Sequence, residues 1–330
     1  MKGSLAVIAG LAFLSGCSNY TPLDDPALRP RVPDPGPGPG VTATFLGNTT
    51  ILVSDGVTNL IVDGFVSRPG ALRTAFGRVG PNVAVIEREL GEVGIGGPGS
   101  LDAVLVGHAH HDHALDAVAI ANMTGAQVMG NESYRFIHAG SGGDTSAASL
   151  FIVPTDGTSN KYGQFTVTFL PSSHVGSHHL PQHMIEGDIE KLLQMPAYFS
   201  KFKHGDVFAI HIAHPDGKIL VTTTAGAQAG GTRGYHADVV FLAVGFLNEE
   251  SPYRQDIYWK EYVEAPNPEL VVPVHWDSFT RQLSKGLRPP RMLARGFEES
   301  MRIVKEKGQG RQLRVLNRGE SIRLLNGSVQ

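Results

Sequence analysis

The sequence of 330 residues predicts an α+β fold in which two β-sheets face each other with helices on the outside. Three observations carry this: a run of alternating strands where the folded region opens, strands and helices alternating after it, and a strand pair closing the chain. No internal repeat stands out.

Taken in order, Thr42-Ala43-Thr44-Phe45-Leu46, Thr49-Thr50-Ile51-Leu52-Val53 and Asn59-Leu60-Ile61-Val62-Asp63 alternate as half-buried strands do. The turn dipeptides Gly47-Asn48 and Asp55-Gly56 separate them into a β-meander. Phe65 to Gly99 is punctuated by Gly and Pro and reads as an irregular loop with little helix. A strand from Ala103 to Val106 follows, then a helix from Ala114 to Met123 with Asp112 as its N-cap and Gly125 at its end. Further strands are expected at Gln127 to Met129, Gln164 to Leu170, Val207 to Ile212, Ile219 to Thr222, Val239 to Val244 and Leu270 to Val274. Helices are expected at Ile185 to Leu193, Trp259 to Glu264 and Gly296 to Lys305, and strands at Gln312 to Leu316 and Ser321 to Leu325 end the chain.

The most informative stretch is His108-Ala109-His110-His111-Asp112-His113, directly after an apolar run. Extended chain points residues i and i+2 to one side, so His108 and His110 present two imidazoles to one ion. Asp112 and His113, in the first turn of a following helix, stand close enough to serve a second. Imidazole and carboxylate are ligands that zinc and similar divalent cations accept. A polar loop that happens to be rich in histidine is the alternative, but four such residues after a buried strand are costly without a purpose. His174, after Phe165-Thr166-Val167-Thr168-Phe169-Leu170, and His275, after Leu270-Val271-Val272-Pro273-Val274, also stand at strand ends and complete the candidate set.

The N-terminus carries a second signal. Met1-Lys2, the apolar stretch Leu5 to Leu14 and Leu14-Ser15-Gly16-Cys17 read as a secretory signal peptide over residues 1–16, too short to span a bilayer, which takes about 20 apolar residues. The Leu-Ser-Gly-Cys sequence resembles the lipobox of bacterial lipoproteins, which implies that Cys17 is lipidated and becomes the first mature residue. Cys17 is the one cysteine, so an intramolecular disulfide is excluded. Ser18, by resemblance to Gram-negative lipoproteins, implies the outer membrane, facing the periplasm. Residues 17–40, with seven prolines and interleaved glycines, read as an extended tether, and 41–330 as one domain. A net charge of -3 shows no basic excess, so nucleic acid is not an expected partner.

His108-x-His110-x-Asp112-His113, with His174 and His275 downstream and Asp63 ending an early strand, resembles the metallo-β-lactamase superfamily of metal hydrolases across Val41 to Leu325. Leu46-Gly47-Asn48-Thr49-Thr50 and Val272-Pro273-Val274-His275-Trp276 resemble the branch of ascorbate-phosphate lactonase-like enzymes and N-acyl-phosphatidylethanolamine phospholipase D. The resemblance implies a four-layer αββα sandwich with the metals in a cleft at one edge of the sheets. It implies that His108, His110 and His174 hold one zinc, that Asp112, His113 and His275 hold a second, and that Asp63 supports them. One position departs from the pattern: Thr222-Thr223-Thr224-Ala225-Gly226 has no carboxylate, and Thr224 stands where the family has an aspartate bridging the metals. A neutral hydroxyl is a poor substitute between two dications. The expectation is therefore one zinc at the first position and a second that is weak or absent, bridged by another residue, or lost together with activity.

The expected activity is metal-dependent hydrolysis of an ester, lactone or phosphodiester in the bacterial envelope. The water held by the ion is the nucleophile, and Asp112 orients it or passes a proton to the leaving group. The alternative is a non-catalytic surface lipoprotein that binds a metal or ligand on the same fold, favoured by Thr224. The segment from Gly176 to Asp206 holds His178, His179, His183 and His204 beside Leu192, Leu193, Met195, Tyr198 and Phe199. It reads either as a surface helix or as a lid offering an apolar wall to a small or lipid-like substrate. Neither a nucleophile elbow nor a P-loop is present.

Overall fold

The computed structural model describes residues 20–29, 38–176 and 182–330. Cys17, the signal segment, His178 and His179 lie outside the described residues, as does the side chain of His183. Two sheets form the centre. The first runs in the order β15 (Ser328–Val329), β14 (Ser321–Leu325), β1 (Val41–Gly47), β2 (Thr50–Ser54), β3 (Asn59–Val62), β4 (Ala103–Leu105), β5 (Gln127–Gly130), β6 (Leu150–Ile152). The second runs β13 (Gln312–Leu313), β12 (Leu270–Val274), β11 (Val239–Ala243), β10 (Gly217–Val221), β9 (Val207–His214), β8 (Phe165–Ser172), β7 (Thr158–Tyr162). Each sheet is antiparallel in one half and parallel in the other: β3 to β6 and β10 to β13 pair in parallel. The parallel strands β4, β11 and β12 are buried along their whole length, which is why they read as unbroken apolar runs.

Eight α-helical segments are described: α1 (Ala71–Phe76), α2 (Val83–Gly91), α3 (His111–Ala114), α4 (Ala117–Thr124), α5 (Glu132–Gly140), α6 (Gln182–Ile185), α7 (Pro252–Trp259) and α8 (Ala294–Lys307). Helix α4 packs on β4 and β5, and α5 on β5 and β6. The two-sheet sandwich with outer helices is therefore the architecture the sequence predicted.

Several elements differ from expectation. Phe65 to Gly99 is not simply loop: it contains α1 and α2. Asn82 caps α2 by accepting from the Val85 N–H, and Ile86 and Leu90, one turn apart, bury its inner face. The Gly and Pro residues flank these helices, apart from Gly91, the last residue of α2. The helix expected from Ala114 to Met123 is broken into α3 and α4, and Asp112 is no cap; it lies inside α3. The break falls at Asp116, whose carboxylate accepts instead from the Val66 and Ser67 N–H groups at 2.8 and 2.7 Å. Gly125 does end α4, at φ 77°.

The helix expected over Ile185 to Leu193 is absent past Ile185. There the chain binds α5 instead, with Ile189 N donating to Ser133 Oγ and Leu193 N to the Phe136 carbonyl. Trp259 to Glu264 is the end of a longer helix that starts at Pro252 behind the Ser251 cap and closes in a π-helical turn, Lys260–Glu264. Within the stretch read as tether, residues 20–29 fold against the body. Leu28 is fully buried and its carbonyl accepts from Val315 N, while Asp25 pairs with Lys305 at 2.7 Å. Tyr20 and Leu23 pack against the same core beside Leu28. No helix among the described residues is long and apolar enough to cross a membrane.

Asp116 ties the loop after β3 to the turn that carries His111, Asp112 and His113 and gives a measurable pH dependence. Burial pushes its carboxyl up to about 6, against the pull of the Ser67 and Val66 hydrogen bonds. A raised folded pKa means that the folded state binds the proton more tightly, so this residue's contribution is greatest below about pH 4 and is lost as pH rises through 6. Asp116→Asn keeps an acceptor that cannot ionise. Urea unfolding is expected to show the parent losing about 3 kcal/mol relative to that variant between pH 4 and 7. A pH-independent difference would contradict this.

Candidate metal centre

The candidate ligands arrive from the carboxyl ends of strands, where parallel sheets leave a crevice. Beyond β4 the chain continues through Val106 and Gly107 to His108. A Cβ on Gly107 would lie 2.4 Å from Thr223 Oγ1, so only glycine lets the two sheets approach here. Asp63 follows β3, His174 follows β8, Thr224 follows β10 and His275 follows β12, while α3 carries Asp112 and His113. Three of the turns involved are in the left-handed region without glycine: Asn48 (φ 55°), Asp63 (φ 57°) and His275 (φ 58°). Such conformations persist only where surrounding contacts enforce them. At Asn48 they do: its N–H donates to Asp277 Oδ1, its amide to the Asp112 carbonyl, and its own carbonyl accepts from His275 N, all at 2.8 Å. Asp277 in turn is paired with the buried Arg68.

The structure brings the six candidate ligands into two triads, His108–His110–His174 and Asp112–His113–His275, with the ligand atoms of each within 4.8 Å of one another. Their tautomers follow from the outer hydrogen bonds. His110 Nε2 donates to the Ile185 carbonyl at 2.9 Å and His174 Nδ1 to the Val175 carbonyl at 2.7 Å. Thr223 Oγ1 donates to the Phe208 carbonyl and stands 3.4 Å from His108 Nδ1, which leaves it to accept from that ring. His113 Nδ1 donates to Asp63 Oδ2 at 2.7 Å, and Asp63 also takes the Thr49 hydroxyl and the Gly107 N–H.

The inner nitrogens are thereby left with lone pairs facing inward. His108 Nε2 and His110 Nδ1 are 3.2 Å apart, and His113 Nε2 and His275 Nε2 each stand 3.5 Å from Asp112 Oδ2. A tetrahedral ion with zinc–nitrogen bonds of ~2.0–2.1 Å sets adjacent ligand nitrogens about 3.3 Å apart. The lone pairs of His108 and His110 opposed at that distance repel unless a cation lies between them, so the first donor set fits a divalent metal. The Asp112 carboxylate with the His113 and His275 imidazoles is a second set of ligand types that such an ion accepts. Outer oxygen acceptors on metal-binding imidazoles are also what orients such ligands. His275 is the exception: its Nδ1 has no partner among the described residues.

Electrostatics agree. Burial, together with the neighbouring imidazoles, holds His108 and His110 well below the ordinary histidine value, and burial and His204 bring His174 down to about 3. These rings are neutral and able to ligate. Burial also opposes ionisation of Asp112, yet His113 and His275 outweigh it and hold the carboxyl well below its usual range. His113 moves up because Asp112 and Asp63 overcome its own burial.

A cavity of about 320 Å³ opens over both triads. Its walls include Ile185, Phe199, Phe202, Phe246, Phe279 and Leu293, and Thr224 lines it too. Residues from the 176–206 segment do form one wall, through Ile185, Phe199 and Phe202; Leu192 and Tyr198 instead point to solvent. His204 stacks flat on His174, ring centroids 5.4 Å apart. The sequence reading missed His111, Asn48, Asp277 and the Phe202 and Phe279 walls. His111 reads as a spacer within the motif, yet it lines the cavity among Phe65, Phe199, Phe202 and Phe279, with its Nε2 buried and without a hydrogen-bond partner. Asn48 was visible as a turn residue and Asp277 as a neighbour of His275. Thr224 Oγ1 is engaged in accepting from the Val175 N–H at 3.1 Å.

No family model matches the chain. A protein of Rubrobacter xylanophilus described as a UPF0173 metal-dependent hydrolase is 34% identical over 93 residues, which is 28% of this chain and 31% of that protein. The match thus spans about a third of the curated relative's length. Among solved structures, the metallo-β-lactamase fold protein YhfI of Bacillus subtilis superposes with a TM-score of 0.50 at 16% identity, covering 86% of this chain and 99% of that one. A possible metal-dependent hydrolase of Veillonella parvula gives 0.50 at 14%, covering 86% and 100%. CmlA, a diiron β-hydroxylase of Streptomyces venezuelae, gives 0.51 at 14%, covering 87% and 55%. The fold is that of the metallo-β-lactamases.

If Asp63 sets the His113 tautomer, Asp63→Asn is expected to weaken metal binding at the Asp112–His113–His275 triad by roughly 10–100-fold while the other triad is little changed. Metal titration of the purified variant by calorimetry checks this; equal weakening of both sites, or of neither, would contradict it.

Proposed function

We propose that the protein is a zinc-dependent hydrolase acting on neutral esters or lactones that carry an apolar group, and that it is exported as a lipoprotein anchored through Cys17. The observation that carries the reading is the pair of convergent ligand triads at the floor of an aromatic cavity. Zinc bound there would supply Lewis acidity and a nucleophile available at neutral pH. The metal-dependent hydrolase names of the partial relative and of the Veillonella structure support the same activity.

The chain's own residues define the rest. Among the described residues no lysine or arginine lines the cavity, so a phosphodiester's charge would find no side-chain partner there, whereas a neutral carbonyl compound needs none. Phe199, Phe202, Phe246 and Phe279 exclude water and take up an acyl or alkyl group. Asp112, held ionised, accepts a hydrogen bond or a proton at the reacting end and does not begin as an acid.

One observation favours a second reading, a binder without turnover: Thr224 puts no negative charge between the triads. The binder holds a metal or another ligand, so turnover separates the two readings. The His108→Ala, His110→Ala double variant is expected to lose bound zinc, measured by elemental analysis, and hydrolysis of a medium-chain p-nitrophenyl ester. The parent should cleave that ester at least 100-fold faster than bis(p-nitrophenyl) phosphate. Stoichiometric metal with no cleavage of any ester or lactone would support the binder, and full activity in the double variant would sink the metal mechanism. Thr224→Asp restores a carboxylate where the pattern has one and is expected to tighten the second ion at least tenfold in a metal titration. An unchanged affinity would show that Thr224 does not occupy the bridging position.

A further inference from the structure

Among the described residues, seven large apolar side chains are exposed, and five of them fall in two segments: Leu72, Phe76 and Val83 in one, Leu192 and Tyr198 in the other. The segments touch. Val79 and Ala197 form an antiparallel bridge, and the Arg78 guanidinium lies over the Tyr198 ring at 5.5 Å. Both also build the cavity, through Ala71, Thr74 and Ala75 on α1 and through Phe199 and Phe202 beside Tyr198. Leu72 and Phe76 are one helical turn apart on the outer face of α1, 79% and 60% exposed. Solvated apolar groups this large, gathered at a cavity rim, mark an interaction surface.

Within these two stretches the charge is basic, the nearest acids being Glu87 beyond Val83 and Glu190, Asp188 and Glu186 before Lys191. From residue 64 to 86 and from 191 to 205 the chain has no aspartate or glutamate, and Arg73, Arg78, Lys191 and Lys201 are all exposed there. Among the described residues none of these four cations is in an ion pair with a carboxylate of the chain. Apolar side chains interspersed with cations fit an anionic lipid surface, where the first enter the acyl boundary and the second meet headgroup phosphates. A second copy of the chain fits less well, because two-fold contact through this face would set the same arginines against each other.

We propose that this rim, Leu72, Phe76 and Tyr198 with Arg73, Arg78 and Lys201, is a docking face for an anionic bilayer, seating the cavity mouth against the lipid. It is separate from any lipid on Cys17, and it stands whether or not the protein hydrolyses anything.

The test uses the full chain carrying Cys17→Ser, so that no lipid is attached and the N-terminal segment is the same in every sample. Sedimentation with vesicles of phosphatidylethanolamine and phosphatidylglycerol is compared with vesicles of phosphatidylcholine alone. The parent is expected to bind the anionic vesicles, Leu72→Glu with Phe76→Glu to weaken that binding at least tenfold, and Arg73→Gln with Arg78→Gln to remove most of its salt sensitivity. Circular dichroism and bound metal should be unchanged, since these side chains are exposed and outside both triads. Equal binding by the apolar double variant would overturn the proposal. So would a parent that ignores vesicles and forms a dimer, seen by analytical ultracentrifugation, which the same substitutions dissociate.

Discussion

The site depends on one constraint: the outer nitrogens of four imidazoles are committed to oxygen acceptors, so the inner lone pairs must converge. Ile185 and Val175 carbonyls, Thr223 and Asp63 fix His110, His174, His108 and His113 respectively. Burial then keeps the first three rings neutral. A cluster of this kind is unfavourable without a cation, since neither water nor protons can satisfy every donor atom in so dry a space. The same groups that make the cleft costly are those that suit it to a divalent ion.

The sandwich makes this arrangement possible by ending its strands together. Asp63, His108, His174, Thr224 and His275 leave both sheets at one edge, and Gly107 allows the sheets to close until Thr223 meets His108. The cost lies in the turns. Asn48, Asp63 and His275 each hold a left-handed backbone, on the order of 1–3 kcal/mol apiece, offset by buried hydrogen bonds that run from Asn48 to Asp112, Asp277 and His275. Asn48 thus couples the meander of the first sheet to the ligand loop of the second.

The convergence of His108 and His110 was legible because a strand leaves a period-two signature, while the grouping of the six candidates into two triads followed from the resemblance. The two-sheet sandwich was legible from alternating and unbroken apolar strands, while the four-layer αββα order came only from the resemblance. Other elements were not legible, among them α5, β6 and β7, and three of the misses have a clear physical reason. The helices α1 and α2 hide behind Gly and Pro residues that punctuate their ends. The helix expected after Ile185 yields to hydrogen bonds with α5, a tertiary effect that no local propensity records. The cavity wall gathers Phe199, Phe246 and Phe279 from distant segments, and only the fold shows that His111, a spacer by sequence, stands among them. Thr224 was visible solely as a departure from a resemblance, and the structure adds that its hydroxyl is already engaged by Val175.

The convergence of lone pairs is tested most directly by anomalous diffraction at the zinc absorption edge, on crystals of the full chain grown with zinc. The account requires a peak between His108 Nε2, His110 Nδ1 and His174 Nε2, with the opposite ring nitrogens still bonded to Thr223 and the Ile185 and Val175 carbonyls. A cleft without such a peak at saturating zinc, or zinc held through the opposite nitrogens, would contradict it.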